Sequence, residues 1–167
     1  KDIWLSSMKD HAVRNSSCYD NCMCMMLKDD LEKLKGYGIV NPFSEHDIEK
    51  NISKFLFNGR FFYNDLNKED EVYGDANIFP FYCRMMKSKI AMKSCMKEMV
   101  KNKLDKPFPL KYQSKRETQE KKIWEERFIP GYESDTIWWH MMPIFLRIVK
   151  ELDERAFNTY LESIKKV

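Results

Sequence analysis

Glycine and proline are scarce, at 5 and 6 residues in a chain of 167. A β-sandwich with many tight turns needs more of both, so the scarcity favours long helices. Long apolar runs are missing too. The longest, Cys22–Leu27 and Met141–Leu146, fall far short of the roughly 18 residues that a membrane span needs. No secretory leader pattern opens the chain, and membrane is not an expected partner. An excess of one charge is also absent. The 29 Lys+Arg and 26 Asp+Glu leave +3, too little to imply nucleic acid. Lysines at 87–103 and 111–122 are interleaved with acids, which reads as a solvated face. Lys1 stands where Met would open a full chain, the mark expected of a trimmed product or a fragment.

What is present fits a folded chain. Hydrophobic residues make up 43% and charged residues 33%, outside the disordered and membrane-embedded classes. The length suits one domain, here residues 1–167 as a single helical domain. Aromatic residues reach 14%, ring area that fills a core or lines a sugar-binding cleft. The five cysteines, Cys18, Cys22, Cys24, Cys83 and Cys95, are odd in number and unpatterned. That fits a reducing cytoplasm better than a disulfide framework. Cys18 and Cys22 share a helix face, but no second Cys/His pair at finger spacing follows. They read as buried apolar thiols, with no metal and no cofactor expected.

Hydrophobic spacing predicts six helices. They cover about 18–35, ended by Gly36 and Gly38; 44–57, with Ser44 and Asp47 as a capping pair; 75–86, with Pro80 marking a first turn or a kink; 88–102; 134–152; and 154–165. Residues 60–74 read as a loop with some extended structure, and 103–122 as a charged, solvated stretch. The helices fall into three pairs. Asp20, Asp75 and Asp135 stand at or near the start of the first helix of each. An aspartate there has a purely local reason, since helix N-termini carry unpaired N–H groups and partial positive charge. If the three first helices lie side by side and parallel, however, these acids converge with Arg14, Asn21, Asn77 and several rings. Rings with carboxylates and amides suit a carbohydrate, whose C–H faces stack while its hydroxyls hydrogen-bond.

Three stretches carry a family likeness. Arg14-Asn-Ser-Ser-Cys-Tyr-Asp20-Asn21 leads into the first helix. Phe55-Leu-Phe-Asn-Gly-Arg-Phe-Phe-Tyr-Asn-Asp65 is followed by Asp75-Ala-Asn77-Ile-Phe-Pro80. Phe128-Ile-Pro-Gly-Tyr132-Glu-Ser-Asp-Thr136-Ile-Trp138 comes third. In kind and order these resemble the six-hairpin glycosidases, the (α/α)6-toroid enzymes that include glucoamylase-like proteins and debranching-type glucosidases. Ser16 stands where the first motif usually has glycine. The resemblance implies an all-α fold of paired helical hairpins forming half of an (α/α)6 toroid, since six helices supply half of the twelve. The other half would come from a missing segment, another chain or a homo-oligomer.

The same resemblance implies part of a glycoside hydrolase acting on α-glucans or oligosaccharides by acid/base hydrolysis with inversion. Inverting enzymes need two carboxyl groups about 6.5–9.5 Å apart. Asp10, before Arg14, is the candidate general acid, against the plainer reading of a solvated loop acid. Glu126, with Glu125 after Trp124, resembles the acid-bearing stretch of glucoamylases, against the plainer reading of a charged helix end. Arg14, Asp20, Asn21, Asp75, Asn77, Tyr132 and Trp138 are the candidate substrate-binding residues. His140 reads as a packed histidine. The alternative is a non-catalytic, solenoid-like helical module whose concave face binds proteins.

Overall fold

The computed structural model describes residues 14–115, 127–128, 131 and 134–166. It is all-helical, with no strand among those residues beyond isolated bridges. Six α-helices form three hairpins: α1 (Cys18–Lys33) with α2 (Ile48–Phe55), α3 (Gly74–Tyr82) with α4 (Lys89–Lys101), and α5 (Met142–Leu152) with α6 (Glu154–Ile164). Among the described elements, α3 lies between α1 and α5 and touches both, while α2 and α6 touch only their hairpin partners.

Side chains set the helix starts. Ser17 caps α1, accepting from the Asp20 N–H at 3.0 Å and donating to its carboxylate at 2.7 Å. Asp47, rather than Ser44, caps α2 by accepting from the Lys50 N–H. Ser88 caps α4, and Asp153 alone separates α5 from α6 while capping the latter. Such caps satisfy N–H groups that have no partner inside the helix.

Helix α5 departs most from the sequence expectation. It was expected from 134 but begins at Met142, after a single 3-10 turn, Trp139–Met141. Residues 134–138 are committed elsewhere. The Tyr112 N–H donates to the Thr136 carbonyl, Gln113 to Ser134, and Trp138 to Leu110. An extended backbone held this way cannot also make helical bonds. Pro143 near the start of α5 is the local signal for the true boundary.

Segment 110–113 is therefore a strap between the run-in to α3 and the run-in to α5. Its other edge pairs with Tyr73, and Gly74 donates its N–H to the Tyr112 carbonyl at 2.7 Å. Gly74 is required there, because a Cβ would sit 2.4 Å from the Lys111 carbonyl oxygen. The core runs through all three hairpins. Cys22, Phe62, Ile78, Met99, Leu110, Tyr112 and Phe145 are buried, and rings meet edge to face, as at Phe62–Phe81 and Phe145–Tyr160. Two fully buried cysteines on α1 fit the reading of apolar thiols, and all five cysteines are free. No helix among the described residues is long and apolar enough to cross a membrane.

Candidate functional site

The approach to the first helix and the start of the third meet at Asp75. This residue is in the first turn of α3 and is wholly buried. Its Oδ2 lies 3.6 Å from the Arg14 guanidinium and accepts a hydrogen bond from the Tyr112 hydroxyl at 3.0 Å. Arg14 in turn donates to that hydroxyl and stacks over its ring. Three distant segments thus meet in one buried charged network: the approach to α1, the start of α3 and the strap. Burial works against the Arg14 charge, but Tyr112 and Asp75 more than offset it and raise the guanidinium pKa. Tyr112 is held neutral, its pKa pushed well up by burial and then by the Asp75 charge. Oδ1 of Asp75 is buried and has no hydrogen-bond partner among the described residues, an acceptor still to be satisfied.

The field of Asp75 reaches the starts of both neighbouring helices. Tyr19, at the start of α1, has its pKa raised by burial, then by Asp20 and Asp75. His140, in the turn before α5, has its pKa lowered by burial, with Asp75 opposing that shift. Its ring meets Trp138 edge to face at 5.5 Å. Tyr19, Asp20 and Trp138 are partly buried and His140 is exposed, and these more accessible side chains are the rim of the buried network. No group of three or more His, Cys, Asp or Glu side chains among the described residues is placed to hold a metal.

The remaining sequence candidates take separate places. Asp20 belongs to the α1 cap. Asn21 donates to the Ser16 hydroxyl and the Ser17 carbonyl. Asn77 directs every hydrogen bond it makes to backbone: it donates to the Phe62 and Tyr73 carbonyls and accepts from the Phe62 N–H. It locks the aromatic loop Phe61–Tyr63 onto α3. Asp135 lies in a turn, seven residues before α5, where its Oδ1 is 3.5 Å from the Ser134 hydroxyl. Asp10, Glu126 and Tyr132 lie outside the described residues. Sequence reading missed Tyr112, the hinge of the network. Its signal was weak, a tyrosine after Pro107 and Pro109 in a stretch read as solvated.

Ser16 has φ +59°, the left-handed region that glycine enters without cost. Comparison of the chain with protein-family models, with curated proteins and with solved structures gave no match.

Proposed function

We propose that this chain is half of a carbohydrate-binding helical toroid of glycosidase type, acting on α-glucans or oligosaccharides. The observation that carries the reading is the meeting of the approach to α1, the start of α3 and the strap at Asp75, with Tyr19, Asp20, Trp138 and His140 at the rim. Aromatic faces beside polar acceptors match the alternating C–H faces and hydroxyls of a sugar. The positive φ of Ser16, where the resembling motif carries glycine, supports the same reading.

In this proposal Arg14, Asp75 and Tyr112 are positioning residues. They are too deeply buried to meet a sugar, and they fix the rim by tying its three segments together. Hydrolysis would fall to carboxyl groups on accessible segments, for which Asp10 and Glu126 are the candidates. Calorimetric titration with maltooligosaccharides tests the binding. Tyr19→Ala and His140→Ala are expected to weaken it at least about tenfold, a loss of about 1.4 kcal/mol each. Release of reducing ends, lost in Asp10→Asn or Glu126→Gln, tests the chemistry. A folded, assembled protein that binds no oligosaccharide at millimolar concentration removes the proposal.

A second reading, a non-catalytic interaction module, rests on the turn after α1. Leu34, Tyr37, Ile39 and Val40 are exposed there, Tyr37 and Val40 at 83%. Contiguous apolar exposure of this kind marks a contact surface. This reading expects Tyr37→Ser with Val40→Ser to abolish self-association while sugar binding is absent in both proteins.

A further inference from the structure

Helix α1 carries Cys22 and Met26 one turn apart, and the end of α3 brings Cys83 against them. The Cys83 Sγ lies 3.3 Å from the Met26 Sδ, and the Cys83 and Cys22 thiols share a hydrogen bond. Cys83 thus contacts both Met26 and Cys22, which stand one turn apart on α1. Cys22 is buried, Cys83 half-buried and Met26 partly exposed. Cys18, one turn earlier on α1, also shares a hydrogen bond with the Cys22 thiol, while its own thiol lies 3.6 Å from the Ala76 carbonyl.

We propose that Cys22, Cys83 and Met26 form a binding site for a single cuprous ion. Two thiolates and a thioether are soft donors in a three-coordinate set, which selects Cu(I) over harder divalent cations. Zinc is disfavoured because it requires four ligands drawn from thiolate, imidazole and carboxylate, and no such group occurs among the described residues. Binding releases one proton from each thiol to solvent, Cu+ + 2 RSH giving [Cu(SR)2]− + 2 H+, and the thioether adds as a neutral third ligand. No electron moves, so no oxidant is required. The ion would bridge the first half of α1 to the C-terminal end of α3.

The test is an anaerobic titration of the full chain with Cu(I) against the chromophoric chelator bicinchoninate, followed by X-ray absorption at the copper edge. One equivalent is expected, bound by three sulfur atoms with no nitrogen or oxygen ligand. Cys22→Ser and Cys83→Ser should lower affinity by more than the roughly 10–100-fold typical of disturbing an outer partner. Met26→Leu, close in volume, should lower it about tenfold while leaving the helical circular dichroism unchanged. Cys24→Ser and Cys95→Ser should leave it unaltered. Failure to outcompete the chelator, undiminished affinity in Cys83→Ser, equal loss in Cys95→Ser, or a Cys22–Cys83 disulfide in place of bound copper would each overturn the proposal.

Discussion

At the scale of single residues, the molecule depends on a few side chains that satisfy groups from remote segments. Gly74 is one. Adding a methyl group would force the strap away from α3, because the Lys111 carbonyl is backbone and cannot swing aside. Gly74→Ala should cost about 1–3 kcal/mol, the usual range for overpacking, read as a lower urea midpoint at unchanged slope. It should also weaken any ligand binding at the rim, since Tyr112 moves with the strap. His140 gives a pH signature. Its folded pKa lies below the unfolded value, so the unfolded chain binds the proton more readily. The stability this contributes is present above about pH 6.5 and is lost as pH falls through the folded pKa. NMR titration should place the His140 midpoint below 6.5, and His140→Gln should flatten the acid limb of the stability curve. Of the candidate site, Arg14 and Asp75 were singled out in the sequence by their places before and at a helix start, but as sugar contacts and not as the buried pair that they form. Tyr112 was not, because a hydroxyl that bridges two charges has no sequence periodicity.

At the scale of elements, α3 shows how a helix accommodates an internal proline. Pro80 has no N–H to give the Ala76 carbonyl four residues earlier. The Cys18 thiol donates to that oxygen instead, from the neighbouring helix. Cys18→Ala should therefore cost about 1–3 kcal/mol, the penalty of an unsatisfied buried carbonyl together with lost packing. In a Pro80→Ala background the restored N–H should reduce that cost, and a double-mutant cycle in urea measures the difference. The end of α4 offers a gain. Lys103 has φ +59° just past the helix, and the Leu104 N–H returns to the Met99 carbonyl in a Schellman closure. Lys103→Gly should stabilise the protein by about 1 kcal/mol, seen as a rise in melting temperature of about 2–4 °C. Helices α1, α4 and α6 were legible to within a residue or two, because apolar spacing and Ser or Asp caps are local signals. The start of α5 was not. Residues Asp135–Trp138 have nothing in their own sequence that forbids a helix, and the strap takes their backbone groups.

At the scale of the whole molecule, three hairpins with adjoining first helices leave two lateral flanks. On one of them the turn after α1 exposes Leu34, Tyr37, Ile39 and Val40. Burying such side chains is worth about 1.5–3 kcal/mol each, enough to favour association through this turn. The native mass by light scattering should therefore exceed the 20.2 kDa of one chain, and Tyr37→Ser with Val40→Ser should lower it. A mass of one chain at micromolar concentration would mean that this turn mediates no self-association.

The all-helical class and its pairing into hairpins were determined by the sequence alone, through apolar periodicity, few glycines and prolines, and caps at the helix starts. These are interactions between residues three or four apart, which a linear reading reaches. The convergence of Arg14, Asp75 and Tyr112, the strap that delays α5, and the contact of Cys83 with Cys22 and Met26 were decided only by tertiary structure. Each joins segments dozens of residues apart, and such partners become neighbours only when burial of the core draws the hairpins together.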